Sequence, residues 1–248
     1  MIRIRGLWKR LGSKQVLSGL DLDIEKGRTT VVLGPSGTGK SVLLKHIIGL
    51  MDPDAGSIEI DGENIVGMKE RALDEIRKKF GMLFQGSALF DSMTVGENVG
   101  LALHEHTSMK TGEIAERVTE RLEWVGLKGV ENMAPSSLSG GMRKRAALAR
   151  AIAMDPQFIM YDEPTTGLDP IMADVINQLI RELQRRLGVT SIVVTHDMTS
   201  AFTVADHVAM LYGGKVVFEG TPDEVRSTSD PLMRQFIEGS SQGPIQPV

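Results

Sequence analysis

Apolar and charged residues alternate along the first part of the chain. Residues 2–5, IRIR, and residues 20–24, LDLDI, both have a period of two, which is typical of strands with one buried face. The next run, TTVVL at 29–33, is continuously apolar or β-branched, as in a central parallel strand. The pattern therefore predicts antiparallel strands followed by a buried parallel strand.

A helical pattern and two further buried strands come next. Residues 41–50, SVLLKHIIGL, have helical spacing, while 158–161 and 191–195 are short apolar runs. Each run ends in polar residues, at 162–163 and 196–197. Because α/β proteins place their chemistry at the carboxyl ends of such strands, we expect the functional site there.

Between residues 86 and 155 the pattern becomes helical, as in TGEIAERVTERLEWVGL at 111–127. We predict a helical subdomain at 86–155, inserted into the α/β core of a domain that spans 1–238. Residues 239–248 contain turn-forming and helix-breaking residues without periodicity, and we predict a flexible tail.

Helix boundaries near the C-terminus carry clear signals. Thr221-Pro222-Asp223-Glu224 combines an N-cap, a proline in the first turn and a capping-box glutamate. Asp230-Pro231 predicts the start of another helix, which Gly239 ends.

The composition excludes several classes of function. The 28 basic and 32 acidic residues give a net charge of −4, so we predict no nucleic-acid partner. The absence of cysteine excludes disulfides and thiolate chemistry. No apolar run approaches the ~20 residues of a spanning helix, and the N-terminus lacks the apolar segment of a signal peptide. Any membrane role is therefore expected to come from a partner.

GPSGTGKS at 34–41, the P-loop, matches G-x-x-x-x-G-K-[ST] between a buried strand and a helix. The glycines let backbone N–H groups surround phosphates, the lysine reaches the β- and γ-phosphates, and the serine hydroxyl holds Mg²⁺. The alternative is a chance glycine-rich turn. The residues predicted to bind ATP here are Gly34, Pro35, Ser36, Gly37, Thr38, Gly39, Lys40 and Ser41.

Two strand ends supply candidate catalytic groups. Asp162 is the candidate Mg²⁺ ligand and Glu163 the candidate general base that polarises water. His196 follows the next buried strand, where it could bind the γ-phosphate or orient water. A lone histidine at a strand end is more often structural, and strand ends often carry solvated charges.

A second candidate anion site is LSGGMRKRAALARA at 138–151. Ser139 is a natural N-cap, and Gly140 and Gly141 expose amides ahead of an alanine-rich helix, which favours a bound phosphate. The alternative is a capped amphipathic helix with a solvated face at residues 143–145. The residues alone do not decide whether the phosphate belongs to the same chain or to a second copy.

Taken together, the P-loop, Gln85, LSGGM at 138–142, FIMYDEPTTGLDP at 158–170 and THD at 195–197 resemble the nucleotide-binding subunits of ABC transporters. The similarity covers nearly the whole chain. It implies an α/β fold with a mostly parallel RecA-like core sheet, an N-terminal antiparallel β subdomain and an inserted helical subdomain. It also implies Mg-dependent ATPase activity.

The resemblance further implies a head-to-tail dimer that sandwiches ATP. Ser139, Gly140 and Gly141 would then bind the ATP of the partner subunit, and Asp169, in the D-loop at 167–170, would communicate across the dimer. Gln85 would contact ATP, Mg²⁺ and water and relay contact with the membrane subunit. The implied metal ligands are Ser41, Gln85 and Asp162.

Two positions depart from the family. Met142 stands where many members have glutamine. The aromatic residue that usually stacks on adenine falls at Leu11, with Trp8 nearby, so the adenine contact stays open between these two residues.

Finer similarity points to the Mla/Mce-type phospholipid transporters of Gram-negative envelopes. It lies in FQGSALF at 84–90, TVGENV at 94–99, the segment 138–153 and MRQFIEG at 233–239. The resemblance implies integral-membrane permease subunits, a lipid-binding Mce-type subunit and a small accessory subunit as partners. It implies a peripheral location at the cytoplasmic face of the inner membrane.

Three alternatives remain. They are an ABC ATPase for another substrate, a soluble cofactor-assembly ATPase, and a small-molecule P-loop kinase, which leaves LSGG unexplained. The apolar run at 88–90 suits either docking of a permease helix or internal packing.

Overall fold

The computed structural model describes residues 1–246, which form two compact units. One unit contains residues 1–73 and 192–246, and the other contains residues 74–191. The strands are β1 (Ile2–Leu11), β2 (Lys14–Ile24), β3 (Thr29–Leu33), β4 (Ala55–Ile60), β5 (Glu63–Asn64), β6 (Phe80–Leu83), β7 (Phe158–Asp162), β8 (Thr190–Thr195), β9 (His207–Tyr212) and β10 (Lys215–Gly220).

The helices include one after the P-loop, one within 111–127 and one in the segment 138–151, as the sequence pattern predicts. They are α1 (Lys40–Ile47), α2 (Glu70–Arg77), α3 (Val95–His106), α4 (Thr111–Trp124), α5 (Gly140–Ile152), α6 (Pro170–Leu187), α7 (Met198–Val204), α8 (Pro222–Ser227) and α9 (Pro231–Glu238), with a 3₁₀ turn at Pro135–Ser137. No helix within residues 1–246 has the length and hydropathy needed to cross a bilayer.

The first unit contains an antiparallel sheet with the strand order β2-β1-β4-β5. Ile2 and Ile4 of β1 are buried and alternate with exposed arginines. Ile4 lies opposite Leu22 of β2 and Ile58 of β4, so apolar side chains of three strands share one face. The prediction of half-buried antiparallel strands is confirmed.

Strand β3 forms the buried centre of the same unit. All five of its residues are buried, and it pairs in parallel with β9, Val31 lying opposite Val208. Strand β10 returns antiparallel to β9. The continuous apolar run therefore does form a central parallel strand, and it leads directly into the P-loop.

In the second unit, helices pack on a pair of parallel strands. Strands β6 and β7 are paired in parallel, and the rings of Phe80 and Phe158 stack with centroids 4.8 Å apart. Helix α5 contacts β6, α3 and α4. Strand β8, all of whose residues are buried, carries the chain back into the first unit.

The predicted caps form near the C-terminus. Thr221 accepts a hydrogen bond from the backbone N–H of Glu224 and completes a capping box, and α9 ends at left-handed Gly239. Beyond it, the Gln235 side chain donates to the Ser240 and Ile245 carbonyls at 3.1 and 3.0 Å. The flexibility of residues 239–248 and the boundaries at 86, 155 and 238 stay predictions, and residues 247–248 lie outside the described residues.

Gly81 sets the distance between α5 and β6. A Cβ atom at this position would lie 2.0 Å from the carbonyl oxygen of Ala151. Because the obstacle is backbone, we expect Gly81→Ala to displace the helix and to lower the free energy of unfolding by about 3 kcal/mol. Thermal and denaturant unfolding of the purified chain measure this loss.

Gly112 provides the matched control. It lies in the first turn of α4, where an added Cβ atom would meet nothing within 4 Å. Gly112→Ala should therefore leave stability unchanged or raise it by up to about 1 kcal/mol. Equal stability of the two variants would show that the contact at Gly81 does not constrain the helix.

Candidate active site

The P-loop is shaped by glycines whose backbone conformation other residues rarely adopt. Gly34, Gly37 and Gly39 have φ values of 153°, 76° and 104°. A Cβ atom at Gly34 would lie 2.3 Å from the carbonyl oxygen of Leu211 in β9. The loop can therefore pack against β9 only because residue 34 has no side chain.

Lys40 holds this loop closed. Its side chain is buried, with 6% of the residue exposed, and its Nζ donates to the Gly34 and Pro35 carbonyls at 2.7 and 3.0 Å. The Thr38 hydroxyl also donates to Pro35, at 2.9 Å. Of the other predicted residues, Ser36, Gly37 and Ser41 are exposed, so the outer part of the loop and the start of α1 can be reached by an anion.

Both residues that are candidates for the adenine contact are accessible to solvent. Trp8 is 44% exposed and Leu11 is 41% exposed. The indole of Trp8 lies over Gly19, where a Cβ atom would be 3.2 Å from Nε1. Lys14, which pairs with Leu11, donates to the Gly37 carbonyl at 3.4 Å, so this hairpin brings its Leu11 end to the P-loop.

His196 is exposed and lies between β8 and α7 in the first unit. The next residue, Asp197, caps α7 by accepting hydrogen bonds from the Thr199 and Ser200 N–H groups at 3.0 and 3.1 Å. Helix α7 contacts β3, the strand that precedes the P-loop. The cap fixes the backbone beside His196 and leaves the imidazole accessible.

In the second unit, Glu163 follows β7 with a left-handed backbone. Its φ is 50°, which costs a non-glycine residue on the order of 1 kcal/mol. Thr166 holds this turn, because its hydroxyl donates to Oε2 of Glu163 at 3.2 Å and its N–H to the Glu163 carbonyl at 3.3 Å. Strained residues of this kind concentrate at functional sites. Asp162 and Glu163 are both half-buried.

The predicted anion site at α5 has the expected cap. The Ser139 hydroxyl accepts a hydrogen bond from the Met142 N–H at 3.2 Å, and Ser139 and Gly140 are exposed, whereas Gly141 is buried. A Cβ atom at Gly141 would lie 2.4 Å from Cε of Met172 in α6. The start of α5 therefore contacts the helix that follows the D-loop.

Asp169 is exposed and caps that second helix. Its Oδ1 accepts hydrogen bonds from the N–H groups of Ile171 and Met172, both at 3.0 Å. Since the Met172 side chain also covers Gly141, the D-loop and the signature segment at 138–142 are joined within one unit.

The segment at 84–90, here called the Q-loop, is attached to α5 by Arg150. Ser87 and Ala88 have positive φ values of 64° and 51°. The Arg150 guanidinium donates to their carbonyl oxygens at 2.9 and 2.6 Å, and burial lowers the pKa of Arg150. Gln85 itself is exposed.

The alternative of a solvated face at residues 143–145 is wrong for Lys144, which is only 4% exposed. Its Nζ donates to the carbonyl oxygen of Gln85 at 2.5 Å and to that of Glu163 at 3.4 Å. Burial lowers the pKa of Lys144, while the carboxylates of Asp162 and Glu163 act in the opposite direction. The structure thus brings Gln85, Glu163 and α5 together through a residue that the sequence analysis did not select.

Lys144, Arg150 and Thr166 are the functional candidates that sequence reasoning missed. For Lys144 a signal existed, because it lies three residues after Gly141 and four before Leu148, both of which are buried. For Arg150 and Thr166 no pattern indicated which backbone groups they bind.

A groove of about 350 Å³ opens beside the Q-loop. Phe84 and Phe90, at the two ends of the Q-loop, are both exposed. The groove is lined by Gly86, Ser87, Leu89, Asp91, Pro135, Ser136 and Arg143. The run at 88–90 is therefore not packed in the interior, because Ala88 and Phe90 are exposed and Leu89 lines the groove; its role in docking stays a prediction.

The candidate metal ligands are a hydroxyl, an amide and a carboxylate, from Ser41, Gln85 and Asp162. Oxygen donors of this kind suit Mg²⁺, which is usually held by one or two carboxylates together with substrate phosphates. Residues 1–246 contain no group of three or more His, Asp or Glu side chains that could hold a metal without such help. The residues present therefore fit a nucleotide-bound Mg²⁺.

Comparisons with known proteins agree with these features. A family model described as ABC transporter matches residues 17–166. The chain is 48% identical to a probable ribonucleotide transport ATP-binding protein, mkl, of Mycobacterium leprae, over 98% of this chain and 70% of that protein. It is 43% identical to the intermembrane phospholipid transport system ATP-binding protein MlaF of Haemophilus influenzae, over 99% and 93% of the two chains.

A solved structure gives the same result for the fold. It is a dimeric post-hydrolysis state of the ATP-binding cassette MJ0796 bound to ADP and Pi, and it is 33% identical with a TM-score of 0.82 over 90% of this chain and 99% of that one. The predicted α/β fold, with an antiparallel β subdomain and a mostly parallel sheet, is confirmed, as are ATP binding and ATPase activity. On the strength of the matched family model and of relatives above 40% identity over nearly its whole length, the chain belongs to the ABC transporter family.

Proposed function

We propose that this chain hydrolyses ATP to drive phospholipid transport between the inner and outer membranes through a separate permease. The observation that carries the proposal is the 43% identity to MlaF over nearly the full length of both chains. The P-loop and the Glu163 turn supply the nucleotide-binding groups and the general base that ATP hydrolysis requires.

Lys40 provides the first step, which is nucleotide binding. Its ammonium now lies on the Gly34 and Pro35 carbonyls, and nucleotide phosphates offer it stronger, charge-assisted hydrogen bonds. Ser41, Gln85 and Asp162 are the residues that would hold Mg²⁺, which neutralises phosphate charge when bound. The remaining P-loop residues surround the phosphates with backbone N–H groups.

Glu163 is the general base for hydrolysis. Its carboxylate is half-buried and oriented by the Thr166 hydroxyl, so it can accept a proton from the attacking water at a fixed position. His196, exposed at the end of β8, hydrogen-bonds to the γ-phosphate or orients that water.

Two copies of the chain form the complete site. Ser139 and Gly140 are exposed at the N-terminus of a 13-residue helix, and together with Gly141 they bind the γ-phosphate of the partner's ATP. Asp169 lies at the start of the adjoining helix α6 and transmits the state of one site to the other. The dimeric state of the MJ0796 cassette supports this arrangement.

The groove beside the Q-loop is the docking surface for a permease helix. The exposed Phe84 and Phe90 rings would be covered there, and movement of the permease would follow dimer closure. With this docking, the chain lies peripherally at the cytoplasmic face of the inner membrane. An Mce-type lipid-binding subunit and a small accessory subunit complete the proposed transporter.

A second candidate substrate comes from the mycobacterial relative, which is named for ribonucleotide transport. ATPases that serve different cargoes can be this similar, because the cargo passes through the permease and does not contact the ATPase. A soluble cofactor-assembly ATPase remains the alternative without a permease. Identification of the partner complex separates these candidates.

We expect Glu163→Gln to reduce ATP hydrolysis by on the order of 10²–10⁴-fold, the scale of a lost general base. ATP binding should be unchanged, so the variant should accumulate as an ATP-bound dimer. Steady-state hydrolysis, ATP binding and light scattering of the purified chain measure the three effects. A monomeric variant at saturating ATP, or one with wild-type turnover, would contradict the proposal.

Two variants control this experiment. Lys40→Ala should weaken ATP binding by roughly tenfold or more and prevent dimerisation in the Glu163→Gln background. Ser139→Glu introduces an acidic group at a helix N-terminus, where the helix dipole favours negative charge, but this group repels the partner's phosphates. It should leave ATP binding to the monomer intact and abolish the dimer.

For the transport role, we expect the chain to copurify in detergent with a polytopic membrane protein that retains phospholipid. Lipid extraction and mass spectrometry of the native complex identify the bound molecule. A bound ribonucleotide would favour the second candidate, and purification without any membrane protein would favour the assembly factor. Phe90→Asp, which places charge in the docking surface, should release the chain from the complex without lowering its affinity for ATP.

A further inference from the structure

We propose that Lys144 is a positioning residue that ties the Q-loop to the general base through their backbones. The inference deepens the proposed function and rests on the role assigned there to Glu163. Nothing in the family signature at 138–142 requires a lysine at this point, which lies two residues after the signature ends.

The geometry is a single ammonium between two carbonyl oxygens that are distant in sequence. Nζ of Lys144 lies 2.5 Å from the Gln85 oxygen and 3.4 Å from the Glu163 oxygen. The two contacts span 59 and 19 residues of chain. Within the second unit, Lys144 therefore connects the residue proposed to contact ATP with the residue proposed to activate water.

Burial makes this connection specific. With 4% exposure, the ammonium has lost most of its hydration, and such a charge persists only when hydrogen-bonded partners or nearby charges compensate. The two carbonyl oxygens supply hydrogen bonds, and the Asp162 and Glu163 carboxylates supply opposite charge. An apolar residue would fill the same space more readily, so a packing role alone does not explain a lysine.

The backbone at both contacts is also unusual. Glu163 has a φ of 50°, and Ser87 and Ala88, just beyond Gln85, have φ values of 64° and 51°. Strained conformations persist only where surrounding groups hold them. Arg150, six residues along the same helix, binds the Ser87 and Ala88 carbonyls, whereas Lys144 reaches both the Q-loop and Glu163. A displacement of α5 is therefore transmitted to both segments.

The test compares Lys144→Met, which keeps the length of the side chain and removes its donors, with the wild-type chain. We expect kcat for ATP hydrolysis to fall by roughly 10–100-fold, the scale of a misplaced catalytic group, while KM for ATP stays within about twofold. The melting temperature should fall only modestly, because the substitution removes a buried charge but leaves the Gln85 and Glu163 carbonyl oxygens without their donor. Lys144→Arg, which retains donors and charge, should recover at least about a third of the activity.

Two further measurements separate positioning from a general loss of structure. Amide hydrogen exchange in Lys144→Met should accelerate at residues 84–88 and 163–166 but not in α4. Lys128→Met is the matched control, because the Lys128 side chain is 79% exposed in the same unit, and it should change neither kcat nor exchange.

A double-variant cycle links the inference to Glu163. In the Glu163→Gln background, Lys144→Met should lower the residual rate by less than about twofold, since it acts through the missing base. Full additivity, or wild-type kcat in Lys144→Met, overturns the positioning role while leaving the proposed function intact. Wild-type turnover in Glu163→Gln alone instead overturns the proposed function. If Lys144→Met does not fold, Lys144→Gln takes its place, because its shorter side chain cannot span both carbonyls. Unaltered kcat and unaltered amide hydrogen exchange in Lys144→Gln overturn the inference.

Discussion

Buried and half-buried cations bound to backbone carbonyl oxygens hold the functional loops of this protein in shape. Lys40 binds two carbonyls of the P-loop, and Arg150 binds two in the Q-loop. Lys144 binds one carbonyl in the Q-loop and one in the proposed catalytic turn. Loops cannot satisfy their carbonyls by regular pairing, and a side chain with several donors replaces the missing partners. Both units use this device, so each keeps its loop conformation by contacts within the unit.

The loops differ in what makes their backbone possible. In the P-loop, glycine permits the positive φ angles, and the sequence reveals this directly. At Glu163 and at Ser87–Ala88 non-glycine residues adopt the same region, and hydrogen bonds from Thr166 and Arg150 hold them there. The proposed catalytic turn therefore has a strained conformation maintained by its neighbours, as is common where a reactive group must be held in place.

Much of the fold follows from the sequence because its signals are local. The alternation at 2–5, the apolar run at Thr29–Leu33 and the capping box at Thr221 each need only neighbouring residues. The role of Lys144 depends on carbonyls 59 and 19 residues away, and a run of three basic residues resembles an exposed face. The sequence also leaves open whether Trp8 or Leu11 contacts adenine. Both side chains are exposed, and the alternation of faces along a strand does not by itself show which of them a nucleotide base would contact.

The close approach of Gly81 to the Ala151 carbonyl has a consequence for how this sequence can drift. When a side chain obstructs a new atom, a smaller residue elsewhere can restore the fit. Here the obstructing atom belongs to the main chain and is identical for all twenty amino acids. No substitution elsewhere in the chain therefore compensates for a side chain at position 81. During evolution, the side chains of α5 can vary much more freely than the glycine against which the helix packs.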